Sequence, residues 1–305
     1  MKRQLVIVVA VVLVAVAGVG RLAAQSAPGL VVSTAWVAEH LKDPDLVVLH
    51  LGPPAAYGTA HVPGARLAVA AAFSVTGQRE DGTPLNLQMP DVKTLRKLLE
   101  SLGISDTSRI VVYSAAPNGV PMSTRLILTL QYAGLGARTH FMQGGLTDWV
   151  AEGRPTTDVV PAIKAGTLSD LKMVPLIVDA DFVDAQRKTA GVRVIDARTP
   201  AFYTGTQTGG SQATPHMTGH IEGAVNVPHN STYDAQGRFK SVDELRAIFA
   251  EAGVKPGETV IAYCHIGQQA TATIFAARLL GYDVKLYDGS FEDWSKRPNA
   301  AVVKK

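Results

Sequence analysis

"TVIAYCHIGQQATATIFAARLLGYDVKLYDGSFEDW", residues 259–294, carries the single cysteine of the chain, Cys264, between an apolar run and a helical pattern. "TVIAY" has the length and composition of a buried strand. "QATATIFAARLLG" places Ile274, Ala277 and Leu280 on a helical period and ends at Gly281, a helix stop signal. A second apolar strand and a Gly-Ser step then lead to "FEDW". The same unit occurs earlier in the chain as "RIVVYSAAPNGVPMSTRLILTLQYAGLGARTHFMQGGLTDW", residues 109–149, at an offset near 150 residues. In that copy Ser114 stands where Cys264 stands in the other.

The repeat extends upstream. "LVVLHLGPPAAYGTAHVPGARLAV" (46–69) pairs with "VRVIDARTPAFYTG…GHIEGAVNVP" (192–228), the second copy carrying a Gly/Thr-rich insertion, "TGTQTGGSQATPH" (204–216). "SVDELRAIFAEAG" predicts a helix with Ser241 as N-cap, Glu244 completing a capping box, Leu245, Ile248 and Phe249 on one face, and Gly253 as terminator. "DVKTLRKLLESLG" (91–103) is its partner in the first half. Each half thus alternates strand and helix, the pattern of a mainly parallel sheet with helices on both faces. The expected organisation is two α/β domains, 30–152 and 176–300, joined by a Pro/Thr/Gly-rich linker at 153–175.

Residues 1–24 read as an export signal: Lys2 and Arg3, an apolar stretch of about 16 residues, and small residues before a cleavage point after Ala24. The alternative is an uncleaved anchor, the apolar stretch being slightly short of the roughly 20 residues that span a bilayer. The expected location is therefore exported and periplasmic, or membrane-anchored facing the periplasm. Removing the segment takes away Lys2, Arg3 and Arg21, which lowers the 29 basic residues to 26 against 26 acidic ones. A formally neutral mature chain has no basic face to offer nucleic acid. One cysteine in an exported chain is either a reactive thiol, half of an intermolecular disulfide, or a buried small hydrophobe.

The position of Cys264 favours reactivity. It lies at the carboxyl end of a strand, the edge at which open parallel sheets bind ligands. The loop His265–Gln269 runs into a helix, so backbone N–H groups and the helix N-terminus can face the sulfur and favour an anion there. Gly267 lets the turn approach closely. The cradle suits a thiolate and a persulfide formed on it, hence transfer through a covalent cysteine intermediate. Ser114 in the first copy has no evident base beside it, which leaves the first domain as a packing partner or a wall of the cleft.

On "VIDAR" (194–198), "GHIEGAVNVP" (219–228), "YCHIGQQA" (263–270) and "GSFEDW" (289–294), in this order and with the repeat, the chain resembles the tandem-domain rhodanese family, the thiosulfate and 3-mercaptopyruvate sulfurtransferases. In these the N-terminal domain lacks the cysteine and the C-terminal domain keeps it. The likeness runs from about residue 30 to 297. It implies two tandem rhodanese-like domains and a two-step transfer: Cys264 takes a sulfane sulfur from a donor, then passes it to cyanide or a thiol. It implies no metal or organic cofactor; the expected partners are a small-molecule sulfur donor and a thiol or cyanide acceptor, with a membrane only if the N-terminal segment is uncleaved. Cys264 is the expected catalytic residue, with His265, Ile266, Gly267, Gln268, Gln269, Ala270 and Arg198 binding substrate and Asp196 supporting them.

Rhodanese-like phosphatases and arsenate reductases hold their anion with an arginine six positions after the cysteine; here that position is Ala270, so a phosphate ester lacks its clamp. The loop also departs from the thiosulfate enzymes, whose cysteine loop reads C-R-K-G-V-T-A, in having His265 and Ile266 in place of two cations. Phe202 replaces an arginine that those enzymes place before the residue matching Tyr203. Each charged hydrogen bond lost costs about 1.5 to 3 kcal/mol of dianion binding. The loop equally differs from the C-G-S-G-V-T-A of mercaptopyruvate enzymes, which leaves a persulfide or polysulfide donor open. His216 and His220 lie four apart without the further ligands a metal site needs, and Trp149 and Trp294 occupy matched packing positions. The rival reading is a non-enzymatic sulfur carrier that holds sulfur on Cys264 for a partner.

Overall fold

The computed structural model describes residues 29–304; the export-signal segment 1–24 lies outside the described residues. The first half forms five parallel strands, β1 (Val31–Val32), β2 (Leu46–Leu51), β3 (Arg66–Ala68), β6 (Arg109–Ser114) and β7 (Thr139–Met142), in the order β1-β7-β6-β2-β3. The antiparallel hairpin of β4 (Val75–Gln78) and β5 (Pro84–Gln88) comes between β3 and β6. The second half repeats the sheet with β8 (Ile177–Val178), β9 (Val192–Asp196), β11 (Val225–Asn226), β12 (Thr259–Tyr263) and β13 (Asp283–Tyr287), ordered β11-β9-β12-β13-β8. Numbered within its own half, each sheet has the strand order 1-5-4-2-3. The duplication read from the sequence is therefore a duplication of topology.

The central strands are buried on both faces, with Val260, Ile261, Ala262 and Tyr263 of β12 at 0% exposure, as the apolar runs require. The capping box at Ser241 is formed, with both the Ser241 side chain and the Glu244 carboxylate engaged. That helix, Val242–Glu251, buries Leu245 and Phe249 completely. Its counterpart Val92–Ser101 is capped by Asp91, whose carboxylate accepts from Thr94 N–H, and likewise buries two leucines, Leu95 and Leu99.

The segment 153–175 contains no helix or named strand, yet it is fastened along the first half. Gly166 N–H donates to Glu100 O, Val174 N–H donates to Tyr132 O, and Leu168 is 1% exposed. The C-terminal β14 (Val302–Val303) returns to pair antiparallel with β10 (His220–Ile221). The two halves share one apolar core across equivalent helices, Val120–Tyr132 and Ala270–Leu279. Phe141 meets Phe239 and Phe275 edge-on at 5.7 Å each, contacts worth about 0.5 to 1.5 kcal/mol apiece beyond their burial. Such an interface fixes the halves against each other. No helix among the described residues is long and apolar enough to cross a membrane.

Candidate active site

Strands β9 and β12 are neighbours, but the chain leaves them in opposite directions, β9 toward β11 and β12 toward β13. Their carboxyl ends therefore open a crevice at a topological switch point, where α/β sheets take ligands. Cys264 follows directly on β12, and Asp196 ends β9 opposite Tyr263. The sequence thus places the sulfur in the crevice through nothing more than strand order.

Cys264 is buried, and its backbone is fixed at both ends. Its N–H donates to Ser290 Oγ at 3.2 Å, and its carbonyl accepts from Phe291 N–H at 3.0 Å. Ser290 is fully buried and left-handed (φ 52°), an uncommon state for a residue with a Cβ, and its hydroxyl donates onward to Tyr287 O. From the sulfur the loop turns through His265, Ile266, Gly267, Gln268 and Gln269 into the helix Ala270–Leu279. No hydrogen-bond acceptor for the backbone N–H of these five loop residues is found among the described residues. Unpartnered backbone N–H groups in a loop that enters a helix favour an anion beside them.

A cavity of about 120 Å³ is lined by Cys264, His265, Ile266, Gln268 and Gln269. Five of the residues expected from the sequence thus share one wall. Gly267 and Ala270 do not line it. Gly267 has φ 79°, and a Cβ there would stand 2.8 Å from Asp288 O, so glycine is required by both torsion and space. Ala270 is wholly buried in the first turn of the helix.

Arg198 departs from the expectation of substrate contact. It is 1% exposed; its Nη2 pairs with Asp196 at 2.5 Å and donates to Gly219 O at 2.7 Å, and its guanidinium lies 4.0 Å from the centre of the Phe291 ring. Tyr263 hydroxyl donates to Asp196 at 2.8 Å and accepts from Ile221 N–H at 3.1 Å. Burial and the adjacent carboxylate charge push the Tyr263 phenol well up from its ordinary range. A buried charge held this fully by its own chain is a support under the crevice, not a free cation within it.

His265 stands edge-on to Phe202, ring centres 4.5 Å apart, and 6.0 Å from His216. Burial, together with the positive charge of Arg198 and the neighbouring His216, holds it down to about 4. At neutral pH it is uncharged. It therefore supplies no positive charge to a thiolate or a bound dianion.

The first half contributes residues that the motifs did not indicate. Arg125 of the helix Val120–Tyr132 donates to Gly267 O at 3.2 Å, pairs with Asp288 at 2.5 Å and reaches Leu87 O. Asn86 of β5 donates through its backbone and side chain to the Glu292 carboxylate at 2.8 and 2.6 Å. Met89 N–H donates to Asp288 at 2.8 Å. The half without the cysteine thus holds the cysteine loop and the segment Asp288–Glu292 from behind, by charge and hydrogen bonds. His220 hydrogen-bonds Tyr203 O at 2.7 Å and stacks on that ring at 3.8 Å, a role within the fold. Among the described residues no group of three or more metal-ligating side chains gathers.

A duplicated parallel-sheet domain thus carries its one cysteine among the described residues at the carboxyl-end crevice of the second sheet, beside a loop of backbone N–H groups. The Rhodanese-like domain model matches the chain twice, over residues 33–152 and 179–297, and the chain belongs to that family. It is 31% identical to the sulfur carrier protein TtuD of Thermus thermophilus, over 91% of this chain and 97% of that protein. Identity to the thiosulfate sulfurtransferase of Rattus norvegicus is also 31%, over 87% of this chain and 92% of the relative. Among solved structures, the 3-mercaptopyruvate sulfurtransferase SseA of Escherichia coli superposes with a TM-score of 0.73 at 25% identity, covering 86% of this chain and 99% of that one. The protein is a sulfurtransferase of two rhodanese-like domains.

Proposed function

We propose that the protein moves a sulfane sulfur through a persulfide on Cys264, from thiosulfate, 3-mercaptopyruvate or a persulfide donor to cyanide or a thiol. In the first step the Cys264 thiolate attacks the outer sulfur of the donor. The bond from that sulfur to the donor breaks with its electron pair, releasing sulfite, the enolate of pyruvate or a thiolate. In the second step the acceptor attacks the terminal sulfur of the persulfide, and the Cys264 thiolate leaves. Thiolate and persulfide are both anions at one place, and the row of five N–H groups beside Cys264 without a partner among the described residues is the observation that carries this reading.

A persulfide is the favoured donor. With Arg198 taken up by Asp196, and His265 neutral, the inner cavity has no cation among its lining residues to neutralise a thiosulfate dianion. Arg198, Asp196 and Tyr263 act by positioning the crevice. The apolar stretch and small-residue exit within 1–24 support action in the periplasm, free or membrane-anchored.

The test is thiocyanate formation from cyanide with each donor, for wild type and Cys264→Ser. Equal rates from both proteins across all three donors would sink the proposal. A second reading, a sulfur carrier, is favoured by the relative of that name. Intact mass after donor treatment separates the two: a stable added sulfur without turnover indicates a carrier. Cell fractionation with the mass of the mature N-terminus tests export.

A further inference from the structure

The insertion 204–216, absent from the first half, builds a second and larger cavity of about 630 Å³ over the cysteine loop. Thr208, Ser211 and His216 of the insertion line it with His265, Lys296 and Asn86. His265 and Ile266 line both this chamber and the cavity at Cys264, so the two spaces share a wall. The sulfur itself belongs to the inner space only.

The chamber is built for an occupant. His216 is 7% exposed, yet neither ring nitrogen has a hydrogen-bond partner among the described residues, and its Nδ1 is fully enclosed. Burial lowers its pKa, so it is a neutral imidazole with unmet hydrogen-bonding capacity, a state that costs free energy until a partner arrives. Two glycines let the insertion close over the imidazoles: a Cβ at Gly209 would stand 2.7 Å from His265 Nδ1, and one at Gly210, where φ is 87°, would stand 2.9 Å from His216 Cδ2. Lys296 forms no ion pair among the described residues, while the one acid of the lining, Glu292, already receives two hydrogen bonds from Asn86. The chamber therefore offers one cation without an ion pair, Lys296, neutral donors, and one carboxylate, Glu292, whose oxygens are taken up by Asn86. Its volume falls in the range of sites for whole organic ligands and far exceeds what cyanide fills.

We propose that this chamber seats the sulfur acceptor, a small thiol bearing a carboxylate: the carboxylate on Lys296, polar atoms on His216 and the insertion hydroxyls, the thiol reaching past His265 to Cys264. The proposal rests on the sulfur-transfer reading. The acceptor reacts as its thiolate. It forms a bond to the terminal sulfur of the Cys264 persulfide, the Cys264 sulfur–sulfur bond breaks, and Cys264 departs as thiolate, so the acceptor leaves as a persulfide with no net oxidation.

The experiment loads the full chain with sulfur from polysulfide, removes excess donor, and follows loss of the added sulfur by intact mass. The acceptors are 3-mercaptopropionate and 2-mercaptoethanol, similar in reach and different in charge. The measured quantity is the ratio of their second-order rate constants within one protein, which cancels general damage to the fold. Going from wild type to Lys296→Gln, the preference for the carboxylate-bearing thiol is expected to fall by about 10-fold, from loss of a charged hydrogen bond near the surface. Lys296→Arg should restore most of it, and His216→Phe should slow both thiols. An unchanged ratio in Lys296→Gln, with cyanide still discharging both loaded proteins, overturns the acceptor site alone. Failure of the wild type to load sulfur overturns the reading beneath it, and the site with it.

Discussion

The loop after Ser114 and the loop after Cys264 share one backbone plan and differ in chemistry. Each follows the central strand of its sheet and enters a helix, at Val120 and Ala270 respectively, after the same number of residues. Ser114 hydroxyl is spent on Ser123 Oγ at 2.8 Å, with Gly119 packed against it, whereas Cys264 borders a cavity. Beneath the loops, the charged set Asp196, Arg198 and Tyr263 has His50, Gly52 and Tyr113 as its counterpart. There Tyr113 hydroxyl accepts from Val62 N–H and hydrogen-bonds His50 Nδ1 at 2.8 Å, while His50 Nε2 has no partner among the described residues. What both halves keep is equally informative. Tyr57 stacks on His61 at 3.9 Å as Tyr203 stacks on His220 at 3.8 Å, and each tyrosine hydroxyl donates to a carbonyl, Ala65 O and Ala224 O. Features present in both halves hold the fold; features present in one are candidates for the chemistry.

The largest effect tests that division directly. Cys264→Ser gives the second loop the side chain of the first, and thiocyanate formation should fall by roughly 10³-fold or more, since the covalent route is removed. The converse change, Ser114→Cys, should not create a second site, because that side chain is enclosed and engaged with Ser123. Intact mass after donor treatment should show one added sulfur. Two added sulfurs, with doubled turnover, would mean that the residue alone distinguishes the halves.

The fold was legible because the repeat states each strand and helix twice, and "SVDELRAIFAEAG" carries its own cap. The cysteine and its loop were legible for the same reason: a difference at a matched position stands out against a shared pattern. Arg125 was not. It lies in the helix "VPMSTRLILTLQYAG" as an unremarkable cation, and its contact with Gly267 depends on how the two halves pack. The β4–β5 hairpin was missed because its contacts, Asn86 to Glu292 above all, are likewise made across the interface. For Arg198 charge alone does not reveal that Asp196, two residues earlier, pairs with it. The role of Ser290 had a signal, the change from Gly-Gly to Gly-Ser between the copies, whose meaning needs the backbone torsion.

Removing one partner of the buried pair comes next in size. Asp196→Asn or Arg198→Met should destabilise the protein by about 3 to 5 kcal/mol in urea unfolding, because each leaves the other charge uncompensated. His50→Asn in the neutral counterpart should cost about 1 to 2 kcal/mol. Equal costs would erase the distinction between a charged and a neutral support.

Acid should affect both halves through their buried histidines. Burial lowers His50 and His265 from an ordinary value of 6.5 to about 4. Between these limits the unfolded chain binds more protons than the folded one, so stability is full above pH 6.5 and is lost as pH falls toward 4. Urea midpoints measured across this window should fall with pH, and less steeply in His50→Gln. A parallel slope in that variant would remove His50 from the account.

The smallest effect in stability carries the finest point of the comparison. Gly145 and Ser290 hold matched left-handed positions, φ 55° and 52°. At Gly145 a Cβ would collide with Ser114 O, so glycine is the only residue that fits. At Ser290 a side chain is accommodated despite a torsional cost of about 1 to 2 kcal/mol. Its return is the hydrogen bond that its hydroxyl accepts from Cys264 N–H, worth about 0.5 to 1.5 kcal/mol. Ser290→Gly should therefore leave global stability within about 1 kcal/mol of wild type, the two contributions opposing. Turnover should nonetheless drop several-fold, because a freed Cys264 N–H and a looser backbone spoil the aim of the sulfur. Ser290→Ala keeps the strain and loses the bond, so it should be the less stable of the two. If Ser290→Gly raised stability and kept full turnover, the serine would be no more than a tolerated relic of the duplication, and the argument from difference would fail at this position.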